Sequence, residues 1–229
     1  MPEALAIAVV VPVLDEAGEL AARLPGLLCL EADELVVVDG GSHDGTLHIL
    51  QQAGIRYVSG KPGRAHQMNA GVAATKSEVI VFLHIDTLIT SSDLLHVKAA
   101  MQKPGIVGGR FDVRLTGKHP MFRVIETMIN LRSRLSRIST GDQGIFVHRD
   151  VFERMGGFPD QPLMEDIEFS RRLKREGKII CLTQKLVNSS RRWEKHGLIR
   201  TILLMWKLRL LYRLGVPVER LATMYRPVR

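Results

Sequence analysis

Aromatic residues and cysteines are scarce in this sequence of 229 residues. Phe, Trp and Tyr together make up 5% of the chain, and no segment interleaves them with basic residues as a stacking platform for single-stranded nucleic acid does. The two cysteines, Cys29 and Cys181, lie far apart without metal-ligand spacing, so they support neither a disulfide scaffold nor a zinc site. We therefore predict a protein without a nucleic-acid partner.

A long apolar run and a basic leader are also missing. The sequence contains no stretch of about 20 uncharged apolar residues, which is the length of a membrane-spanning helix. The first residues, MPEALAIAVVVPVLDE, contain acidic residues where a secretory signal peptide has basic ones. With 45% hydrophobic and 24% charged residues, the composition predicts a soluble globular protein, which we expect in the cytoplasm.

Cations are few in the first 100 residues and abundant at the end of the chain. Residues 1–100 carry 6 Lys and Arg against 12 Asp and Glu, and residues 101–170 carry 10 against 9. Residues 171–229 carry 16 against 3, so the net charge of +8 belongs to this last segment. Such a segment suits a phosphorylated substrate, an anionic membrane surface or a solvated basic face, and the sequence leaves these alternatives open.

Apolar, β-branched runs alternate with helical patterns in the first 90 residues. Continuous apolar runs over 7–14, 34–42 and 78–87 predict strands that are buried on both faces, and a shorter strand is predicted over 55–60. The segments between them, AGELAARL, DGTLHILQQAG and RAHQMNAGVAATK, have helical spacing. This alternation predicts a parallel sheet with helices on both faces, whose strands end at one ligand-binding edge.

The second half is less regular. It predicts a strand over 105–115 and a helix over 120–138, then a short strand and a short helix within 141–158. A helix over 162–178 stops at Gly177, and extended chain follows to Trp193. No linker or repeat appears, so we predict one domain over 1–229. Within it we expect a nucleotide-binding half (about 1–100), an acceptor half (about 101–190) and a basic helical C-terminus (about 191–229).

The last predicted helix, over 197–215, is apolar but not cleanly amphipathic. At 100° per residue, Arg200 and Lys207 fall together, whereas Arg209 and Arg213 lie nearly opposite them. A helix on a membrane surface usually carries its cations on one side. This arrangement favours packing against the domain or a second subunit over membrane contact.

The second predicted strand ends in Asp39, which Gly40 and Gly41 follow. An Asp at this place can accept hydrogen bonds from a base or a ribose, while glycines let the backbone approach a ligand. The alternative is an ordinary turn in which Asp44 N-caps the next helix, and we expect Asp44 to have that role. The segment lacks the spacing of a dinucleotide-binding loop and the Lys of a P-loop, which disfavours dinucleotide and ATP binding.

His84 and Asp86 stand two residues apart at the end of the fourth predicted strand. The two-residue period of a strand directs both side chains to the same side. Asp86 can ligate Mg²⁺ or Mn²⁺, which prefer oxygen donors and bridge to phosphates. A polar pair at a sheet edge is the alternative, because one carboxylate makes a metal site only if a diphosphate supplies further ligands.

Two further pairs of charged residues have both a functional and an ordinary structural explanation. Glu165 and Asp166 begin a helix, where the dipole favours carboxylates. A carboxylate kept ionised there can also take a proton from a hydroxyl group. Arg191 and Arg192 can grip a leaving diphosphate, because guanidinium groups match phosphate oxygens. The alternative for these arginines is surface charge beside a partly buried Trp193.

Together these residues give the chain a resemblance to family 2 glycosyltransferases of the GT-A fold. The matching segments run in order through VVVPVLDEA, VVVDGGSHDGT, GRAHQMNAG, VIVFLHIDT, GDQGIFV and GGFPDQPLMEDIEFSRRL, over about residues 7–178. The segment RRWEKHGLIRTILLMWKLRLLYRLGV is further similar to a small bacterial-type subfamily. The resemblance implies an α/β fold of the GT-A type, with a mainly parallel central sheet and helices on both faces.

The resemblance also implies roles at the matching positions. Asp166 would be the catalytic base of an inverting transfer, and Asp86, the last Asp of the family's DxD motif, would hold Mn²⁺ or Mg²⁺ on the donor diphosphate. Asp39 would contact the nucleotide base, and the GDQG segment would border the donor sugar and the acceptor. The implied nucleotide- and donor-binding residues are Pro12, Leu14, Glu16, Asp39, Gly41, Arg64, Asn69, His84, Asp86, Gln143, Glu165 and Arg192.

The sequence departs from the family pattern at two places. His84 stands where the DxD motif has its first Asp, which removes one ribose or metal contact. The RRW string lacks the Gln of the QxxRW motif found in processive polysaccharide synthases. Since no spanning helix is predicted either, we expect neither processive synthesis nor export.

We therefore predict an inverting, metal-dependent glycosyltransferase of the hexosyltransferase type. It would move a sugar from a UDP- or GDP-sugar to an unknown hydroxyl acceptor, with a lipid-linked acceptor as one option. Two alternatives stay open, a nucleotidyltransferase of similar fold and a non-catalytic binding protein of this fold. The acidic PVLDEAGEL segment counts against a triphosphate clamp. A homodimer and peripheral contact with the inner face of the membrane are further options that the basic C-terminus leaves open.

Overall fold

The computed structural model of the chain describes residues 5–225, apart from the side chain of Arg192. In the first part of the chain, strands and helices alternate as the apolar runs predict. The elements are β1 (Ile7–Val13), α1 (Ala17–Leu28), β2 (Glu34–Asp39), α2 (Thr46–Ala53), β3 (Tyr57–Ser59), α3 (Arg64–Ala73) and β4 (Val79–Phe82). The four predicted strands and three predicted helices of this part are confirmed.

The second part contains four further strands and seven further helices among the described residues. They are β5 (Thr87–Leu88), α4 (Ser91–Met101), β6 (Ile106–Leu115), α5 (Met121–Ser136), β7 (Phe146–His148), α6 (Arg149–Arg154), α7 (Glu165–Glu176), β8 (Lys178–Asn188), α8 (Arg191–His196), α9 (Leu198–Arg213) and α10 (Val218–Met224). One 3₁₀ turn, Gly141–Gln143, precedes β7. The predicted helix over 162–178 is α7, and it ends at Gly177 as predicted.

All eight strands form one sheet in the order β3-β2-β1-β4-β7-β6-β8-β5. The pairs β2–β3, β1–β2, β1–β4 and β6–β8 are parallel, and the pairs β4–β7, β6–β7 and β5–β8 are antiparallel. The first four strands therefore make a parallel unit whose carboxyl ends share one edge. The mainly parallel sheet confirms the predicted α/β class.

The two faces of the sheet are covered by different helices, because alternate residues of a strand face opposite sides. In β1, Val9 and Val11 belong to a core with α1, α2 and α4, whose members include Leu20 and Leu50. The intervening Val10 belongs to the other core, with α3, α6 and α7. Six of the seven residues of β1 are buried, on both faces of the sheet, which explains its unbroken apolar sequence.

Three expectations about elements need correction or addition. The predicted extended chain to Trp193 ends at Asn188, and residues 191–196 turn into α8. The helix α2 begins one residue later than predicted, so Gly45 rather than Asp44 occupies the N-cap position. The short strand β5 and the helix α4 carry no prediction from the sequence, and α10 lies in the segment that was predicted only as a helical C-terminus.

The predicted apolar helix over 197–215 is α9, and its inner side packs on the domain. Leu208 is fully buried in a cluster with Met164, at the start of α7, and with Leu221 of α10. At its beginning, Leu198 and Ile202 pack on a second cluster formed with α5. Within residues 5–225, no helix combines the length and the apolar character needed to cross a bilayer.

Candidate active site

The carboxyl ends of β1 and β2 meet at one edge of the sheet, as predicted. Val13 lies opposite Asp39 in the parallel pairing, and the Gly40 N–H donates to the Val13 carbonyl at 2.9 Å. The buried Gln67 side chain of α3 donates from Nε2 to the carbonyls of Val13 at 2.7 Å and Val38 at 2.9 Å. This amide ties α3 to both strand ends and so fixes the edge.

Asp39 holds its own loop in place. Its carboxylate is buried and accepts the N–H of Gly41 at 2.9 Å and the N–H of Ser42 at 3.2 Å. Gly41 has a φ of +93°, a left-handed conformation that glycine adopts without strain. The structure thus gives Asp39 a structural role, and its contact with a nucleotide base stays a prediction.

The loops after β1 and β2 are joined by hydrogen bonds, and we call them the loop pair (residues 14–17 and 40–46). The Asp15 N–H donates to Ser42 Oγ at 2.9 Å, and the His43 N–H donates to Asp15 Oδ1 at 2.8 Å. Asp44 accepts the N–H of Ala17, the first residue of α1, at 3.0 Å. The carboxylates of this acidic, glycine-rich segment therefore organise the neighbouring loop.

One small cavity gathers predicted site residues from distant parts of the chain. Pro12 at the end of β1, His84 after β4, and Glu165 and Asp166 at the start of α7 line it together with Gly141. Its volume is about 10 Å³, which is enough for about one water molecule. The predicted base and the predicted donor-binding strand ends therefore share one hollow.

Asp166 is held in that hollow by main-chain donors. Its Oδ2 accepts the Gly141 N–H at 2.8 Å, and its Oδ1 accepts the N–H of Ile167 at 2.7 Å. A Cβ atom on Gly141 would lie 2.5 Å from Nε2 of His84, so a larger residue at this position would displace the imidazole. Gly141 therefore lies between His84 and Asp166 and contacts both side chains.

The carboxyl groups of Glu165 and Asp166 have a raised affinity for protons. Burial raises the pKa of Glu165 to about 7, and the negative charge of Asp166 adds to the rise. Burial also raises the pKa of Asp166, although the N–H groups of Gly141 and Ile167 favour its ionised form. In both cases the positive charge of Arg64 opposes the rise. A raised pKa suits a group that takes a proton near neutral pH.

Arg64, the first residue of α3, faces several acidic groups. Burial by the surrounding walls opposes its charge, but Tyr225, Glu165, Asp166 and Asp86 together raise its pKa. Arg64 is therefore a fixed cation beside the cavity. Burial, followed by the charge of Arg64, holds the pKa of His84 well below its usual range, so this imidazole is neutral near pH 7.

Asp86 lies half-buried in a crowded acidic region. Burial raises its pKa; Arg64 opposes the rise, whereas Glu19 and Asp142 add to it. Glu16 also belongs to this region. Burial raises the pKa of Glu16, the charge of Arg191 opposes the rise, and the charge of Asp86 adds to it. Burial and neighbouring carboxylates thus act together against the ionisation of Asp86 and Glu16, while Arg64 and Arg191 favour it.

The donor chemistry of this region fits a divalent cation. In the described part of the chain, no three His, Cys, Asp or Glu residues are grouped so that they could hold a metal ion by themselves. However, Asp142 Oδ1 is buried without a hydrogen-bond partner, and its residue lies close enough to Asp86 to raise the Asp86 pKa. Carboxylate oxygens are the ligands that Mg²⁺ and Mn²⁺ prefer.

The basic segment after β8 reaches the rim of the same region. Arg191 forms ion pairs with Glu19 at 2.9 Å and with Glu16 at 3.8 Å. Trp193 is partly buried against the cluster between α5 and α9, which agrees with the alternative considered for it. The side chain of Arg192 lies outside the described residues, so its predicted phosphate contact stays a prediction.

Three predicted donor-binding residues have other neighbours in the structure. Both ends of the Asn69 amide bond the main chain of Phe158, at 2.9 Å each. The Oε1 of the fully buried Gln143 accepts the Thr140 N–H at 3.1 Å, but its Nε2 has no partner. Leu14 is half-buried in the loop pair. Asn69 thus joins α3 to the chain before α7, and Gln143 keeps a free donor in the GDQG segment.

Two arginines near the site were assigned no site role from the sequence, and Asp142 was predicted only as part of the GDQG segment. Arg132 of α5 and Arg209 of α9 lie close together, and burial followed by the charge of Arg209 lowers the pKa of Arg132 to about 10. Asp142 and Asp166 oppose this change. Asp142 could have been chosen from the GDQG segment, whereas nothing local marks an arginine in the middle of a long helix.

The comparison with protein families gives one match. The model of the family described as Glycosyl transferase family 2 matches residues 8–158, which include both loops of the pair, β4 and the GDQG segment. No curated protein matches the chain. The family match covers more than half of the sequence.

Solved structures share the fold at low sequence identity. The mannosyltransferase PcManGT from Pyrobaculum calidifontis, in complex with GDP-Man and Mn²⁺, is 21% identical with a TM-score of 0.66, over 100% of this chain and 67% of that one. The S. aureus TarS 1–349 structure with UDP-GlcNAc is 18% identical with a TM-score of 0.66, over 81% and 58%.

A third similar structure is glucosyl-3-phosphoglycerate synthase from Mycobacterium tuberculosis, in complex with Mn²⁺, UDP-glucose and phosphoglyceric acid. It is 22% identical with a TM-score of 0.64, over 93% of this chain and 81% of that one. At these identities the likeness shows the fold, and it confirms the predicted GT-A type of sheet and helices.

Proposed function

This chain belongs to glycosyl transferase family 2, and from that membership we propose an inverting, metal-dependent transfer of a sugar from a nucleoside diphosphate to a hydroxyl acceptor. The glycosyltransferases of similar fold are in complex with GDP-Man, UDP-GlcNAc or UDP-glucose. These ligands support a UDP- or GDP-sugar as the donor. The acceptor, including a lipid-linked one, is left open by this support.

The position of Asp166 carries the proposal. Its carboxylate lies in the cavity with Pro12 and His84, and the Gly141 N–H fixes its orientation. Asp166 accepts the proton of the acceptor hydroxyl, whose oxygen then attacks the anomeric carbon. The bond from that carbon to the diphosphate breaks on the opposite side, which inverts the configuration. The raised pKa of Asp166 makes it a stronger base than a solvated carboxylate.

Asp86 is the proposed protein ligand of the divalent cation, and Asp142 is the nearest further carboxylate with a buried, unpartnered oxygen. When bound, the cation neutralises the negative charge that develops on the leaving diphosphate. Arg64, which faces the same acidic groups, is proposed to hold the diphosphate beside it.

Pro12, Leu14 and the loop pair then border the nucleotide. Asn69 is not included, because the main chain of Phe158 occupies its amide.

Donor hydrolysis tests these roles without knowledge of the acceptor. Purified protein is screened against UDP- and GDP-sugars with Mn²⁺ or Mg²⁺, and the released nucleoside diphosphate is measured. Asp166→Asn should lower turnover by about 10²-fold or more, as expected for the loss of a general base, while donor binding persists. Asp86→Asn should remove the dependence of donor binding on the cation.

Asp160→Asn is the matched control, because the Asp160 side chain is 80% exposed and forms its ion pair with His66, away from the acidic groups of the site. It should leave both donor binding and turnover unchanged. Hydrolysis at the wild-type rate by Asp166→Asn and Asp86→Asn alike would contradict the proposed roles. Release of pyrophosphate from a nucleoside triphosphate would point to nucleotidyl transfer instead.

A further inference from the structure

Large exposed apolar side chains are concentrated on two helices. Of the thirteen large apolar residues that are exposed in the described part of the chain, ten lie on α5, on α9 or directly after α9. Their exposed fractions run from 39% to 78%. We call this set the α5/α9 face; it consists of Met121, Val124, Met128, Leu131, Leu135, Ile199, Leu203, Trp206, Leu210 and Leu214.

The spacing of these residues makes one outward stripe on each helix. Successive members are three or four residues apart, so each set stays on one side at 100° per residue. Other sides of the two helices are packed: Phe122 and Ile125 of α5 share a cluster with Leu198 and Ile202 of α9. The two outward stripes therefore lie on neighbouring helices that are joined through their inner sides.

Cations border the apolar stripe of α9. At 100° per residue, Arg200 and Lys207 fall on one flank of the stripe, and Arg213 falls on the other flank. All three side chains are exposed, and the helix contains no Asp or Glu. In the sequence, cations on two sides of this helix argued against membrane contact. The structure shows that these cations border an exposed apolar stripe on both sides.

We infer that the α5/α9 face docks on an anionic lipid surface. Leucine, isoleucine and methionine side chains would enter the boundary of the acyl chains, with Trp206 at the level of the head groups. The flanking cations would meet lipid phosphates. The net charge of +13 in residues 171–229 adds a longer-range attraction to the same surface.

A second copy of this chain fits the face less well. A homodimer through α9 would bury the apolar stripes but would bring two copies of the +13 segment together. The helix offers no carboxylate that could pair with the partner's cations. Charge complementarity therefore favours an anionic bilayer over self-association.

Vesicle co-sedimentation tests this inference without any sugar donor, so its outcome does not depend on the proposed transfer reaction. Wild-type protein is mixed with phosphatidylcholine vesicles, with or without phosphatidylglycerol, at about 0.02 M and about 0.5 M NaCl, which spans strong and weak screening of charge. We expect binding to the anionic vesicles at low salt, with much weaker binding at high salt or without phosphatidylglycerol.

Substitutions on the face locate the binding surface. Leu203→Glu with Leu210→Glu should lower the bound fraction at least about fivefold, since it places charge on the apolar stripe. Leu95→Glu is the matched control, because Leu95 is 64% exposed on α4 and lies outside the face. Thermal unfolding and circular dichroism of each variant check that these exposed changes leave the fold intact.

Two further variants separate charge from apolar contact. Arg200→Gln with Lys207→Gln should weaken low-salt binding more than the exposed pair Lys61→Gln with Lys103→Gln, which removes equal charge elsewhere. Trp206 fluorescence should shift to shorter wavelength on vesicles, and Trp206→Phe should abolish the shift.

No binding at low salt, or binding unaffected by Leu203→Glu with Leu210→Glu, would overturn the inference. A dimer broken by those two changes, without vesicle binding, would assign the face to a second copy.

Discussion

The pair Glu165 and Asp166 shows how two adjacent carboxylates acquire different tasks. Asp166 accepts two main-chain N–H groups, at 2.7 and 2.8 Å, which favour its ionised form. Glu165 is 6% exposed and has burial and the charge of Asp166 acting against its ionisation. Near neutral pH, Glu165 therefore holds a proton more readily than a solvated glutamate does, beside a base that is oriented to receive one.

The raised pKa of Glu165 makes the stability of the protein depend on pH. An unfolded glutamate titrates near pH 4.3, whereas burial in the fold raises the pKa of Glu165 to about 7. Between these values the folded protein binds a proton that the unfolded chain has released, so stability falls as pH rises through this window. Glu165→Gln should therefore unfold with a free energy on the order of 2 kcal/mol higher than wild type at pH 8.

Urea denaturation at pH 5 and pH 8 measures this difference. The advantage of Glu165→Gln should be small at pH 5 and large at pH 8. Glu153→Gln, which removes an exposed carboxylate on α6, should change stability little at either pH. An advantage for Glu165→Gln of equal size at both pH values would contradict the assignment.

At the residue scale, the sequence placed His84 and Asp86 at the carboxyl edge of the sheet because they come at the end of a predicted buried strand. Asp166 was assigned to the site only through the resemblance to the family. It could not show that Asp39 bonds its own loop, because the pattern DGGS is the same for a ligand contact and for a turn. The pairing of Asn69 with Phe158 joins residues 89 positions apart. No local spacing reveals such a contact.

At the scale of elements, the loop pair connects the starts of two helices. Asp44 accepts the N–H of Ala17 in α1 at 3.0 Å and the N–H of Thr46 in α2 at 2.9 Å. The Glu16 N–H donates to the Thr46 hydroxyl at 3.1 Å. One carboxylate thus satisfies first-turn donors of both helices, although it occupies the N-cap position of neither.

Removal of this carboxylate should loosen both helices. Asp44→Ala leaves the N–H groups of Ala17 and Thr46 without their acceptor, and we expect a loss of about 1–2 kcal/mol in the free energy of unfolding. Asp44→Asn keeps an acceptor oxygen and should recover part of the loss. Urea titration of both variants measures the effect, with the exposed Asp160→Ala as control. Equal stability of Asp44→Ala and wild type would contradict the proposed role.

The elements that were predicted from the sequence are those with a regular pattern of apolar side chains. β1, β2 and β4 are buried on both faces and therefore read as unbroken apolar runs. β5 has only two residues and exists because Thr87 and Leu88 pair with β8, about a hundred residues later in the chain. The helix α8 replaced a predicted extended segment because Ser190, buried at its N-cap, accepts the N–H of Trp193 through its carbonyl and starts the turn.

At the scale of the whole molecule, charge and exposure separate into regions. The acidic groups gather at the strand ends, whereas the last segment carries cations around an exposed apolar stripe. The sequence predicted where the charges lie along the chain. It could not distinguish the covered side of α9 from the uncovered side, because both sides are apolar and only tertiary packing on α5, α7 and α10 decides between them.

The proposed donor site spans the molecule, so ligand binding should stabilise the whole fold. Its residues run from Pro12 in β1 to Asp166 in α7, and a ligand that binds only the folded state raises the unfolding temperature. At about 100 times its dissociation constant, UDP or GDP with Mn²⁺ should add about 2.7 kcal/mol, which corresponds to a rise of about 5–10 °C.

The response to the cation separates the two carboxylates. Asp86→Asn should lose the part of the rise in unfolding temperature that Mn²⁺ adds, because the cation then lacks its proposed protein ligand. Asp166→Asn should keep that part, since the proposed base contacts the acceptor and not the diphosphate. Differential scanning fluorimetry with nucleotide alone, Mn²⁺ alone and both together resolves the contributions. If the Mn²⁺-dependent rise persisted in Asp86→Asn and vanished in Asp166→Asn, the proposed division between metal ligand and base would be reversed.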